Sequence, residues 1–197
     1  DEGEILLKGP SVFQRYHNDP GATAACFTDD GWFRTGDLGS LDRDGYVSIT
    51  GRAKEIIVTA GGKNVAPQPI EGLILADPLF EHAVLLGDNR PCVTLLVKPS
   101  LPHVEELGKL MQWPGEVADW LKSNELAEEL RRRVTALTDK LPSQEKPRAT
   151  ELMDGDLTTD NGLLTPTLKV RRRQVEERFK ELIDGMYEAL ERRRRSN

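Results

Sequence analysis

What most limits the fold of this 197-residue chain is the brevity of its apolar runs. None extends beyond a few residues, Ala83–Leu86 being typical, and glycines and prolines punctuate them. A membrane-spanning helix needs about 20 predominantly apolar residues, so none is encoded. The core must instead be assembled from short strands and amphipathic helices. At roughly 150 residues per domain the chain makes one to two domains, enough to bury a core without disulfide or metal staples. A composition 38% hydrophobic and 30% charged excludes a collagen, a disulfide miniprotein and a wholly disordered chain.

The punctuation divides the chain by character. Ile5–Leu7 reads as a strand stopped by Gly9-Pro10. Asp19-Pro20 reads as a helix cap and first-turn proline opening a short helix over Ala22–Cys26. Strand returns at Gly31-Trp32-Phe33. Leu38–Leu41 and Tyr46–Thr50 flank Asp42-Arg43-Asp44-Gly45, a hairpin signal, and the spacing of Val47 and Ile49 predicts one buried face. Ile56–Val58 predicts a strand ended by Gly61-Gly62. Pro69-Ile70-Glu71 opens a helix with Ile70, Leu73, Ile74 and Leu75 on its apolar side. Ala83–Leu86 and Val93–Val97 predict two strands joined by a polar turn at residues 88–91.

Beyond residue 100 the period changes to that of helices. Val104, Leu107, Leu110 and Met111 share one predicted face, and Leu126, Leu130, Val134 and Leu137 another, with a break at Trp113-Pro114-Gly115. Trp113 and Trp120 are expected to pack this segment; Trp32 and Phe33 read as core. Residues 141–168 read as irregular. One basic helix is expected from about Val170, carrying Val175, Phe179, Leu182 and Met186 on one side.

The net charge of −6 argues against bulk nucleic-acid binding, but the charge is uneven. Residues 1–50 carry 9 acids against 4 bases, and residues 171–197 carry 9 bases against 6 acids, which implies one basic surface on an acidic body. The Arg192–Arg195 run reads as a solvated end, with peripheral contact to anionic lipid as a lesser reading. Cys26 and Cys92 show neither metal nor redox spacing, so a reducing compartment is the default. His17, His82 and His103 have no catalytic partner pattern. The chain starts at Asp1 in what reads as a strand in progress, so the expectation is a piece of a longer protein.

Three stretches carry chemistry. In Thr35-Gly36-Asp37, a carboxylate beside glycine at a strand can accept two hydrogen bonds from a ribose cis-diol; the competing reading is a turn or cap aspartate. In the second, Arg52 ends a strand after Gly51, where it can project toward phosphate or ribose, and Gly61-Gly62 allows close backbone approach to a ligand; a tight turn would explain that pair equally. In the third, Lys169 follows an irregular loop and precedes a helix N-terminus, a setting for phosphate or carboxylate, although a solvated lysine is the commoner case.

Taken in order, these stretches resemble the adenylate-forming superfamily of acyl-CoA synthetases, luciferases and adenylation domains. Thr35-Gly36-Asp37 is similar to its ribose-binding motif, Gly51-Arg52-Ala53-Lys54-Glu55 to its hinge motif, and Thr165–Lys169 sits where the family places its catalytic lysine. Thr59–Glu71 and Asn161–Lys169 resemble the long-chain fatty acid–CoA ligase branch. Many relatives have Ser-Gly-Lys around that lysine where this chain has Thr167-Leu168-Lys169.

The resemblance implies an α+β fold: residues 1–53 as the β-rich end of a large AMP-binding domain, and residues 54–197 as a mobile C-terminal domain with a three-stranded sheet flanked by helices and an added helical segment. It implies fatty acid, ATP and coenzyme A as substrates, AMP as a product, and Mg2+ brought by ATP with no protein ligands here. Lys169 would be catalytic, Asp37 and Arg52 would bind nucleotide, Lys54 would be the hinge, and Gly61, Gly62 and Lys63 would line the coenzyme A path. Arg171–Arg173 are weaker candidates for the phosphates of coenzyme A. The family's phosphate loop and acyl tunnel belong to the large domain, the remaining partner, so these 197 residues alone are expected to be inactive. The expected location is cytoplasmic, with peripheral contact to the inner face of the membrane through the basic end as the lesser reading. Two alternatives stand beside it: a fatty acyl-AMP ligase loading a carrier protein, and a non-catalytic helical module binding a partner.

Overall fold

The turn at Asp42–Gly45 folds the start of the chain into an antiparallel sheet. Asp42 Oδ1 accepts from the backbone N–H of Asp44 and Tyr46, both at 2.9 Å, and closes the hairpin between β2 (Phe33–Leu41) and β3 (Val47–Arg52). β1 (Glu2–Leu7) pairs with the other side of β2, giving the order β1-β2-β3. Between β1 and β2 lies α1 (Pro20–Ala25), capped by Asp19, whose Oδ1 accepts from Ala22 N at 2.8 Å. Phe33 packs edge-on against Phe13 and Phe27, whereas Trp32 stays 38% exposed with the Lys8 ammonium 5.6 Å from its ring. Contrary to the alternation, Val47 and Ile49 are 59% and 67% exposed. A period of two reports the pleat of a strand, not what covers its faces.

The computed structural model describes residues 2–196 and divides into two units, one running to Ile56 and one beginning at Ile57. The second unit opens with a ribbon of β4 (Ile57–Val58) and β5 (Asn64–Val65), followed by α2 (Pro67–Leu75) with proline in its first turn. Its main sheet has the order β6-β7-β8, from β6 (Phe80–Leu86), β7 (Thr94–Pro99) and β8 (Thr150–Leu152). β6 and β7 are antiparallel; β8 joins β7 in parallel, within a stretch expected to be irregular. Three residues are too short for periodicity to reveal, and the strand exists because β7 offers it a free edge.

Both faces of that sheet are covered, which gives the α+β architecture its core. Ala83, Leu85, Leu95 and Val97 point to one side, with α2, α3 (Leu101–Leu110), α4 (Val117–Trp120) and α5 (Asn124–Leu137). Val84, Leu86 and Leu96 point to the other, with Leu163, Leu164, α6 (Arg172–Arg178) and α7 (Lys180–Arg195). On α5, Leu126, Leu130 and Val134 are buried as expected and Leu137 is packed against them. On α2, Ile70 and Ile74 are buried while Leu75 is 42% exposed.

Two helical expectations are corrected. Leu110 and Met111 are 79% and 55% exposed, because α3 presents Val104, Leu107 and Gly108 instead. Gly108 receives the Trp120 indole so closely that a Cβ there would lie 2.3 Å from Trp120 Cζ3. Trp113 stacks edge-on against the same indole, at 6.1 Å between ring centroids. The expected single basic helix is two, separated at Phe179 (φ −105°, ψ 22°), where the chain turns so that Val175 on α6 and Ile183, Met186 and Tyr187 on α7 all reach one core. No helix among the described residues is long and apolar enough to cross a membrane.

Candidate functional site

The first candidate pair is created by strand register. Gly36, at φ 72°, lies where the β1–β2 pairing shifts, a left-handed conformation that glycine adopts without strain. Its N–H donates to Glu4 Oε1 at 3.2 Å, while Thr35 Oγ1 donates to Ile5 O and accepts from Asp37 N. This locks the backbone beneath Asp37. Across the hairpin Asp37 faces Arg52, and Arg52 Nε donates to Asp37 Oδ1 at 2.7 Å. The two side chains are 31% and 46% exposed. The hydrogen bond it donates to Asp37, reinforced by the carboxylate's charge, pushes the Arg52 guanidinium above its ordinary pKa. Two residues fifteen apart, each singled out for nucleotide contact, are thus one charged pair open to solvent.

The second candidate is the loop between β4 and β5. Thr59 N–H donates to Lys63 O at 3.0 Å and Thr59 Oγ1 accepts from Lys63 N at 3.1 Å, closing a turn with Gly62 at φ 72°. Ala60 N–H donates to Arg90 O, and Val58 N–H to Asp88 Oδ1, which ties the loop to the β6–β7 connection. Gly61, Gly62 and Lys63 are exposed; a Cβ at Gly61 would meet only Thr59 Oγ1, 4.0 Å away.

Lys169 crowns the third. Leu164 bridges Val170, Thr165 N–H donates to Lys169 O at 2.8 Å, and Thr165 Oγ1 accepts from Lys169 N at 3.0 Å. Leu168 takes the left-handed conformation, φ 60°, and is 69% exposed. The tight loop lifts Lys169 into solvent, where its ammonium makes no hydrogen bond or ion pair among the described residues. Buried Leu163 and Leu164 seat the loop on the sheet.

Lys54 lies in a one-turn 3-10 helix, Ala53–Glu55, exposed and two residues before the division at Ile56. The triple arginine is not uniform. Arg171 and Arg173 are exposed, but Arg172 turns inward to Glu71, with Nη1–Oε1 at 2.6 Å and Nη2–Oε2 at 3.1 Å. Nothing in the spacing of three consecutive arginines marks the middle one, and Glu71 stood as part of a helix start and as the end of the Thr59–Glu71 stretch, with no partner assigned.

Near the β6–β7 connection a cavity of about 410 Å³ is lined by Arg90, Arg173, Glu176, Lys180 and Tyr187 among others. Burial raises the Glu176 carboxyl, and the Arg90 guanidinium lies 4.9 Å from the Tyr187 ring centre. The histidines stay apart from these loops: His17 contacts Asn18, His103 contacts Ser100, and half-buried His82 has its pKa lowered by desolvation. No group of three or more His, Cys, Asp or Glu among the described residues is placed to hold a metal ion.

Comparison with known proteins adds four likenesses. Residues 54–191 match the family of the AMP-binding enzyme C-terminal domain. The chain is 41% identical over 190 residues to the long-chain-fatty-acid–CoA ligase FadD15 of Mycobacterium tuberculosis, covering 95% of this chain and 31% of that protein. It therefore spans about a third of the length of that curated relative. Among solved structures, the adenylation domain of a carboxylate reductase from Mycobacterium chelonae superposes with a TM-score of 0.77 at 23% identity, over 94% of this chain and 28% of that one. ATP-bound MatB from Rhodopseudomonas palustris gives a TM-score of 0.60 at 28% identity, over 92% of this chain and 31% of that one.

Proposed function

This chain belongs to the AMP-binding enzyme C-terminal domain family, and from that premise we propose that it serves a long-chain fatty acid–CoA ligase working through an acyl-adenylate. The observation that carries the reading is the pairing of Asp37 with Arg52 at 2.7 Å on a solvent-open hairpin. A carboxylate anchored on one side by a guanidinium keeps lone pairs to accept a ribose diol, and Arg52 keeps donors for a phosphate. The likeness to a named fatty acid–CoA ligase and to a homologue crystallised with ATP supports the same reading.

In the first step a fatty carboxylate oxygen attacks the α-phosphorus of ATP, and the bond to pyrophosphate breaks. Lys169, unpaired on its loop, supplies positive charge to the carboxylate and the phosphoryl oxygens as negative charge shifts in the transition state. Magnesium enters with ATP. In the second step the thiol of coenzyme A attacks the acyl carbonyl and AMP leaves. The Gly61-Gly62-Lys63 turn, free of side-chain bulk at its two glycines, is assigned to the pantetheine arm, and Lys63 to a phosphate of coenzyme A. Lys54, in a one-turn helix, is assigned to the rotation that exchanges the two loops at the nucleotide. Arg172 is withdrawn from phosphate contact, because Glu71 already occupies it. At the basic end Arg192 and Arg195 are paired with Glu188 and Glu191, which reduces the charge offered to anionic lipid.

The test divides the reaction. In the full-length protein carrying this chain, Lys169→Ala is expected to lower carboxylate-dependent ATP–pyrophosphate exchange by about 10²–10³-fold. Thioester formation from supplied acyl-adenylate and coenzyme A should persist. Equal loss of both half-reactions would remove Lys169 from the chemistry.

A further inference from the structure

Arg172 and Glu71 come from opposite faces of the sheet and meet at its edge. Among the described residues β6 is an outer strand, paired only with β7, so Leu85 presents an N–H and a C=O to the unpaired side. Both are taken. Leu85 N–H donates to Glu71 Oε1 at 2.7 Å, and Arg172 Nη1 donates to Leu85 O at 2.5 Å. The same guanidinium grips both Glu71 oxygens. The side chains of Arg172 and Glu71 are only 20% and 14% exposed, and Arg172 Nε is buried with no hydrogen-bond partner. Buried ion pairs are weak stabilisers. What this pair supplies is direction: it fixes the first residue of α6 against one backbone unit of β6.

Lys169 lies three residues upstream. The segment between is short and itself pinned, with Val170 bridged to Leu164 and Arg171 N–H donating to Leu163 O at 2.8 Å. The downstream foot of the Lys169 loop therefore moves with Arg172. The Gly61 turn has separate anchors in Thr59, Asp88 and Arg90. We propose that Arg172, clamped to Glu71 and the Leu85 carbonyl at the sheet edge, is a positioning residue that sets where Lys169 is presented, and so acts on the adenylate-forming step while leaving the thioester step untouched.

This rests on the assignment of Lys169 to the first step, and the experiment separates the two ideas. The full-length protein is made as wild type and with Lys169→Ala, Arg172→Lys and the double change Arg172→Met/Glu71→Gln. The double change removes the charge of the pair while the new side-chain amide still accepts from Leu85 N–H, so the fold is expected to persist with a melting temperature within a few degrees of wild type. Pyrophosphate-exchange kcat should fall about 10- to 100-fold, because a lysine misplaced by about an ångström loses that much. KM for ATP should hold, and thioester formation from supplied acyl-adenylate should stay within about twofold. Arg172→Lys, which keeps charge but lacks the fork, should lie between. The proposal is overturned if exchange kcat per folded enzyme is unchanged in the double variant, if both half-reactions fall together, or if every Arg172 variant fails to fold. Should Lys169→Ala leave exchange intact, the functional reading fails first; a sensitive Lys169 beside an indifferent Arg172 sinks only the positioning role.

Discussion

Leu168 occupies a conformation that suits glycine. At φ 60° its Cβ crowds the backbone, a cost of roughly 1–2 kcal/mol for a residue with a side chain, and at 69% exposure it recovers little by packing. Leu168→Gly is therefore expected to raise the unfolding free energy by up to about 1 kcal/mol once the extra freedom of the unfolded chain is subtracted, seen as a higher urea midpoint. A lower midpoint would mean that the leucine side chain makes a stabilising contact. The Thr165–Lys169 string drew notice because it resembles a family motif, and Asp37 and Arg52 stood out for the same reason. Their mutual contact was not legible, since it depends on which residues the hairpin sets opposite each other. Arg172 was hidden further still: three adjacent arginines look alike until one of them finds a carboxylate 101 residues away.

Among the elements, α3 shows how packing overrules periodicity. Leu110 and Met111 fit the apolar stripe but face water, and the contact is made through Gly108, into which the Trp120 indole settles. Alanine normally exceeds glycine in an exposed helix interior by up to about 1 kcal/mol. Here Gly108→Ala should destabilise by about 1–3 kcal/mol instead, because the methyl must displace an indole that is 6% exposed and whose Nε1 is held by Pro114 O at 2.7 Å. Chemical denaturation of the variant decides it; a midpoint equal to or above wild type would show that α4 yields freely. The break at Phe179 follows the same logic. Hydrophobic spacing runs on through it, yet a straight helix could not bring both Val175 and Tyr187 into the core.

At the scale of the whole chain, stability should decline toward both ends of the pH range for identifiable reasons. Hydrogen bonds from Arg132 and then Arg133 hold the Glu129 carboxyl down to about 2, against an ordinary value of 4.5. Below pH 4.5 the unfolded chain takes up this proton first, so the contribution present at neutral pH is lost as pH falls toward 2. Burial pushes the Tyr187 hydroxyl up to about 12 from 10, so stability is lost as pH rises through that window. Denaturant midpoints followed across pH should therefore flatten on the acid side in Glu129→Gln, at a cost of about 1–2 kcal/mol at neutral pH. An unchanged acid slope would place the responsible carboxylate elsewhere. The sequence by itself determined the α+β class and the existence of most strands and helices, and it singled out three stretches by their motifs, because turn chemistry, helical period and motif strings are local properties of the chain. Tertiary structure alone decided what depends on distant partners. The third strand exists because β7 had a free edge; Val47 and Ile49 are exposed because nothing in their unit covers them. Arg172 reaches across the sheet edge to Glu71 because the open side of β6 leaves the N–H and C=O of buried Leu85 in need of partners.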